Sequence, residues 1–292
     1  MAWPSSAAER DRYVLAHRPG RAPLDPWRAQ GMLLEEEPAA DGTAASTLTI
    51  FLTGRECPWR CAMCDLWQYT TEADTPPGAI PAQIEQSCAT LEARGGKARQ
   101  VKLYNAGSFF DPRAVPEGDY AAIARQLQRF ERVIVECHPS LVGPRIDRFL
   151  EALSEGGAAG PALEVAMGLE TAHPEALEQL NKRMDVPAFT RAAGGLRQRN
   201  VALRVFLLIA PPFVPPAEQD EWLLRSVDAA LECGATVISL IPARGGNGTM
   251  ERLATDGLFA APDAATIARS VAMARAHAGS RARLLLDPWS GA

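Results

Sequence analysis

The chain reads as an α/β protein, a partial (β/α)6 TIM-like barrel around a parallel sheet. Three observations predict it. Short apolar or β-branched runs alternate with longer segments of helical periodicity. Six such strand-helix units follow one another, which requires parallel strands joined by right-handed crossovers. A length of 292 residues, 47 % of them hydrophobic, suffices for one large barrel core without a second.

The expected strands are 46–53 (STLTIFLT), 100–104 (QVKLY), 132–136 (RVIVE), 163–167 (LEVAM), 203–209 (LRVFLLI) and 236–240 (TVISL). Between and after them, segments 81–95, 117–130, 144–155, 187–199, 217–233 and 263–277 carry apolar residues at three-to-four spacing, and several open after Pro. Residues 1–45, rich in Pro, Ala, Arg and Glu, read as an N-terminal extension packing on a core domain of 46–292, with Trp3 and Trp27 available to cover one end of the barrel. In parallel barrels the chemistry sits where the strands end. Those ends are where functional residues are sought.

Composition narrows the function. Thirty basic against 35 acidic residues leave a net charge of −5, so direct nucleic-acid binding over a broad electrostatic surface is not expected. No apolar run approaches a membrane span and no signal-peptide core is seen, which predicts a cytoplasmic protein. Six cysteines, three of them in one loop, fit a reducing compartment and not a disulfide framework. Cys88, Cys137 and Cys233 read as small buried hydrophobes.

The first strand runs into RECPWRCAMCDLW, where Cys57, Cys61 and Cys64 stand in C-x3-C-x2-C spacing. Three thiolates can hold three irons of a 4Fe-4S cube, and a fully protein-ligated cube wants a fourth cysteine. The next, Cys88, lies downstream in a helical segment, so an external ligand on the last iron is the economical reading. The alternatives are a zinc site completed by a distant His or Asp, or fortuitous thiols. Structural zinc sites mostly come as two paired knuckles, and no second pair is present. Trp59, Met63 and Trp67 would give apolar cover.

The loop resembles the signature of the radical S-adenosylmethionine (SAM) superfamily, with Met63 where an aromatic residue usually stands. The resemblance implies the radical SAM core as the fold, with a 4Fe-4S cluster and SAM as cofactors. SAM would chelate the open iron, and an electron from the cluster would cleave it to methionine and a 5′-deoxyadenosyl radical. A low-potential donor, flavodoxin or ferredoxin, is implied as partner.

After the second expected strand, YNAGSFFD (104–111) offers the small residues Ala106, Gly107 and Ser108 for close backbone approach, with Asn105 and Ser108 as polar groups. In the family this position carries the glycine-rich motif that meets the methionyl amino group. ECHP (136–139) and GLETAHPEALEQLNKR (168–183) place Glu136 and Glu170 at the ends of apolar strands, where they need a ligand's donors or structural partners such as Lys182, Arg183 or Arg204. The GLET and LNKR stretches resemble the coproporphyrinogen-oxidase-like and methylthiotransferase-like branches. That resemblance implies SAM contacts at Glu170 and Lys182, and a third-strand contact at Glu136. His138 and His173, each before Pro, suit turn-stabilising as well as acid-base roles. In IPARGGNGTME (241–251), the glycines with Asn247 and Thr249 could approach an adenine or substrate.

Together these segments most resemble the group containing the radical SAM subunit of archaeosine synthase. The expectation is a radical SAM enzyme that abstracts hydrogen from a small-molecule biosynthetic substrate, with a partner subunit allowed for. The alternatives are a subunit of a tRNA-modifying enzyme acting on a lysine-bearing deazaguanine, and a non-enzymatic Fe-S or zinc protein. No catalytic side chain is singled out beyond the cofactor residues.

Overall fold

The computed structural model describes residues 3–39, 43–155 and 160–287. Its elements run α1 (Ala7–His17), β1 (Gly31–Pro38), β2 (Ala44–Phe51), α2 (Ala79–Ala93), β3 (Gln100–Tyr104), α3 (Tyr120–Leu127), β4 (Arg132–Glu136), α4 (Pro144–Ser154), β5 (Ala162–Glu170), α5 (Pro174–Gln179), α6 (Val186–Gln198), β6 (Ala202–Ile209), α7 (Gln219–Glu232), β7 (Ala235–Pro242), α8 (Thr249–Thr255), α9 (Ala264–Ala278) and β8 (Arg283–Leu286). The strands form one sheet in sequence order, with β2 to β8 parallel and β1 antiparallel to β2. All six expected strands are present, and the partial barrel is the fold observed. Among the described residues no helix is long and apolar enough to cross a membrane.

Two strands are additional. In β1 the hydrophobic pattern is inverted: Leu33 and Leu34 are exposed while Glu37 is buried. Periodicity therefore conceals it. β8 is only four residues long.

Alternation along the strands sorts the core. Val101, Leu103, Val133, Val135, Val165 and Met167 face outward and pack under the helices, against Ile84, Ile123, Phe149 and Phe189. The inward residues form layers. Tyr104, Ile134 and Ala166, with Phe51 and Phe206, make an apolar middle layer. Toward the strand starts lies an ionic layer. Arg204 donates from Nε to Glu164 (2.7 Å) and from Nη2 to Glu37 (3.0 Å). Lys102 donates to Glu35 (2.9 Å) and to Glu37. Arg283 of β8 donates to the Pro38 carbonyl of β1, so a side chain bridges the two outer strands.

Helix ends follow local chemistry. Asp185 and Asp263 accept from Ala188 and Thr266 backbone N–H groups as N-caps of α6 and α9, and Pro opens α4 and α5.

Arg204→Ala would remove the main cation of two buried carboxylates, leaving Glu37 with Lys102 alone and Glu164 with the more distant Arg132 and Arg283. It should lower the unfolding free energy by about 3–5 kcal/mol at neutral pH, read by urea denaturation. Burial works against the Glu37 carboxylate, but Arg204 and Lys102 outweigh it and hold its pKa at about 2, below the ordinary 4.5. The stability this supplies is complete above pH 4.5 and is lost as pH falls toward 2. Wild-type stability at pH 3 should accordingly be below that at pH 7, and the Arg204→Ala variant should show a smaller drop.

Candidate functional site

At the carboxyl ends of the strands a cavity of about 210 Å³ opens into the barrel. Cys57, Cys61, Cys64, Ala106, Gly107, Ser108, Glu136, Glu170 and Lys182 all line it. Residues drawn from four separate stretches of sequence thus meet in one place.

The cysteine loop is held by its backbone. Asn247 donates from Nδ2 to the carbonyls of Ala62 (2.8 Å) and Cys64 (3.0 Å) and accepts from the Met250 N–H (2.8 Å). Asn181 donates to the Arg60 carbonyl (2.9 Å), and the Ala62 N–H donates to Leu180 (2.9 Å). Asn247 therefore serves the cysteine loop. It does not face an open adenine pocket, and Thr249 beside it is fully buried. The conformation Gly248 adopts (φ 82°) and its press against the His17 carbonyl require glycine there.

The three thiols form no disulfide. Burial pushes each above its ordinary range, Cys64 to about 12, while Lys182 pulls in the opposite direction at Cys57 and Cys61. They are thiols until a metal displaces their protons. Among the described residues no three His, Cys, Asp or Glu side chains, as they stand, form a group able to hold a metal ion. The donor set fits a cluster in its chemistry: three soft sulfur ligands on one wall, apolar cover from Met63, Leu66 and Trp59, and a space in front.

The loop after β3 turns sharply at Ala106 (φ 52°). The Asn105 N–H donates to Glu136 Oε2 (3.1 Å), and Ser108 Oγ accepts from the His138 N–H (2.6 Å). A Cβ on Gly107 would lie 3.6 Å from the Cys57 Cβ, ordinary contact, so the glycine leaves room that the protein itself does not use. Burial raises the Glu136 carboxyl to about 8, with the Asn105 N–H opposing and Asp287 reinforcing the shift. It is a neutral acid over most of the physiological range.

A register shift between Gly168 and Glu170, with Glu170 at φ 68°, turns Glu170 toward the cavity at the end of β5. Its carboxylate accepts from Lys182 Nζ at 2.5 Å, and both side chains are at least nine-tenths buried. Burial alone would lower the Lys182 pKa, and the Glu170 charge, foremost among the opposing influences, raises it instead. The other expected partners are engaged elsewhere, Arg183 with Asp11 and Arg204 in the ionic layer.

The two histidines singled out in the sequence, His138 and His173, hold local structure. His173 Nδ1 accepts from the Ala176 N–H as the cap of α5. His138 accepts from the Ser140 N–H at Nδ1 (3.2 Å) and donates from Nε2 to the Lys182 carbonyl (3.0 Å). Its ring stacks on Trp59, with centroids 3.5 Å apart. Burial lowers its pKa to about 3, so the ring stays neutral. Sequence reasoning missed Asn181, Tyr104, Phe206, Arg244 and Asp287 at or around the site. For Tyr104 and Phe206, strand alternation carried the signal.

No protein-family model matches the chain. It is 25 % identical over 239 residues to archaeosine synthase subunit beta of Methanosarcina acetivorans, covering 78 % of this chain and 64 % of that protein. It is 25 % identical over 229 residues to an uncharacterised protein of Methanocaldococcus jannaschii, covering 72 % and 59 %. The chain thus spans about three fifths of the length of the curated relatives it matches. Among solved structures, Elp3 of Methanocaldococcus infernus superposes with a TM-score of 0.56 at 13 % identity, covering 70 % of this chain and 51 % of that one. Methylornithine synthase superposes with a TM-score of 0.51 at 12 % identity, covering 80 % and 70 %. These structural likenesses show the fold alone, a partial parallel β/α barrel shared with those proteins, as the sequence predicts.

A Cβ at position 168 would overlap Glu170 Oε1 and Lys182 Nζ. Gly168→Ala should therefore part the ion pair and cost about 1–3 kcal/mol in urea denaturation, the penalty of buried polar groups left short of partners. In a Lys182→Met background the added loss should be smaller. An equal loss in both backgrounds would show that the clash is with the strand and not with the pair.

Proposed function

We propose that this protein is a radical SAM enzyme, holding a 4Fe-4S cluster on Cys57, Cys61 and Cys64 and cleaving SAM reductively to begin radical chemistry on a small-molecule substrate. The observation that carries the reading is the convergence of those cysteines and all six candidate SAM residues on one cavity. When bound, the cluster and SAM together supply a 5′-deoxyadenosyl radical that abstracts hydrogen.

The chain's own residues bind, orient and exclude water. The turn at Ala106, Gly107 and Ser108 presents backbone to the methionyl end of SAM. Glu170 offers a carboxylate to ribose hydroxyls, and Lys182 a cation to the SAM carboxylate. Glu136, held protonated by burial, donates or accepts at the cavity wall. Tyr104, Ala166 and Phe206 close the floor, so a radical formed above them meets little bulk water. The electron comes from a low-potential flavodoxin or ferredoxin, in the reducing cytoplasm that the free cysteines suit.

A cavity of this size and a net charge of −5 favour a small molecule as the direct substrate. A second reading rests on the kinship with archaeosine synthase subunit beta: a subunit acting with a partner on a lysine-bearing deazaguanine in tRNA.

Anaerobic reconstitution should load about four iron and four sulfide per chain. Cys57→Ala, Cys61→Ala or Cys64→Ala should abolish loading, while Cys88→Ala, Cys137→Ala and Cys233→Ala should not. Full loss from one of the latter three would overturn the cluster assignment.

With dithionite the loaded protein should release 5′-deoxyadenosine from SAM even without substrate. Glu170→Gln and Lys182→Met should weaken SAM binding about ten- to hundred-fold at unchanged iron content, the worth of a charged hydrogen bond. Unchanged SAM affinity in both variants would make the pair purely structural.

A further inference from the structure

On the outer side of the cysteine loop lies a second, larger cavity of about 820 Å³, a groove between the segment that follows α1 and the turns after β2 and β3. Five arginines line it: Arg18, Arg21, Arg55, Arg60 and Arg113. In a chain with net charge −5, that concentration of cations is local. Their ion-pair partners are fewer. Arg18 (2.8 Å), Arg60 (3.1 Å) and Arg21 (3.6 Å) all converge on the single carboxylate of Glu56. Arg55 and Arg113 share one oxygen of Asp74, at 2.6 and 2.9 Å. Arg21 also reaches Glu72, and Asp111 is the remaining acid on the wall.

The strength of these pairs differs with depth. The Glu56 side chain is 13 % exposed beneath its three guanidinium groups, whereas the side chains of Glu72 and Asp74 are 91 % and 62 % exposed. Exposed pairs contribute little and exchange readily. Arg55 and Arg113 can therefore change partners, as can the Nη2 end of Arg21 that meets Glu72, while Arg21 Nη1 stays held by the Trp67 carbonyl (3.0 Å) and Thr70 Oγ1 (3.0 Å). An independent feature points the same way. Trp67 is 4 % exposed and lines the groove, yet its Nε1–H has no acceptor among the described residues. The Nε–H of Arg18, whose guanidinium lies 4.6 Å above the Trp67 ring, also has none. Two buried donors without acceptors beside a cluster of guanidinium groups are completed by an anion with several acceptor oxygens.

We propose that this groove binds a phosphate-bearing ligand, its oxygens taken by Arg21, Arg55 and Arg113 at the rim and by the Trp67 and Arg18 N–H groups at the base. Arginine's planar fork matches phosphate geometry. The groove shares Cys57 and Trp59 with the inner cavity, so its occupant lies against the loop that carries the candidate cluster ligands. The inference does not depend on cluster or SAM chemistry, because binding can be read on the protein without either.

The test is calorimetric titration of the full chain with inorganic pyrophosphate and, separately, with a short single-stranded RNA, over a salt series. Saturable binding that weakens with salt is expected in at least one arm, and the arm that saturates at lower concentration identifies the phosphate source. Arg21→Gln and Arg55→Gln should each weaken it about ten- to hundred-fold, the cost of a lost charged hydrogen bond. Trp67→Phe, which keeps the ring and removes only the donor, should weaken it less, and Arg129→Gln, in an exposed pair with Glu92, should leave it unchanged. Thermal melts confirm that each variant is folded. Absence of saturable binding in both arms, or equal affinity in the groove variants and Arg129→Gln, overturns the proposal.

Discussion

The ion network of Glu37, Lys102, Glu164 and Arg204 is the interaction on which the rest of the barrel depends. A run of parallel strands that stops short of closure leaves an interior too wide to fill from its own inward side chains and an edge without a partner. β1 covers that edge from the antiparallel side, and Glu37 reaches across the interior to Arg204 of β6 and Lys102 of β3. Buried ion pairs are weak evidence of net stability, since desolvation consumes much of the attraction. Their value here lies in register. A one-residue slip of β1 would carry Glu35 and Glu37 out to water and bring only Glu36 inward, so that Lys102 and Arg204 would have one β1 carboxylate in place of two, with Glu164 of β5 still on Arg204.

With the lower half of the barrel filled by ions and the middle by aromatic and aliphatic side chains, the upper half is free to be a cavity. Its walls are loops, and loops fix geometry only when their backbones are bound. Asn247 and Asn181 supply those bonds to the cysteine loop from two different elements. The Gly168 bulge does the same for the charged pair: the strand lacks a side chain where Glu170 and Lys182 must meet. Non-glycine residues with positive φ cluster around the cavity, at Ala106, Glu170, Asn181 and Arg183. Backbone held in that region carries strain that the surrounding contacts must offset, a distribution typical of functional sites.

What was legible in the sequence was local. C-x3-C-x2-C is a spacing within one loop, and the alternation in QVKLY or LRVFLLI is a pattern within one strand, so both can be read without the fold. The position of Glu136 and Glu170 at strand ends followed from the same patterns. β1 could not be read this way, because its exposed leucines and buried glutamate reverse the rule that periodicity relies on. Asn247 appeared as a polar residue in a glycine-rich loop, and nothing near it in sequence shows that its amide serves carbonyls some 180 residues earlier. Arg204 likewise suggested a partner for the site glutamates. Its true partners, Glu164 and Glu37, lie toward the strand starts, beneath the apolar middle layer.

His138 ties these levels together. It lies just past the end of β4, stacks on Trp59 between two of the cysteines, and donates to the carbonyl of Lys182. A charged imidazolium is disfavoured here by burial first and by the Lys182 cation second, which outweigh the Lys182 carbonyl that would favour it, and its Nδ1 could not accept from Ser140. Neutrality is thus a structural requirement, and it explains why this histidine is a poor proton donor despite its place on the cavity wall. It also makes Trp59 a fixed partition. The indole that separates the inner cavity from the arginine groove is held by a ring whose charge does not change near neutral pH. The geometry of the cysteine loop is consequently set by packing and hydrogen bonds, and not by a titration in the working range.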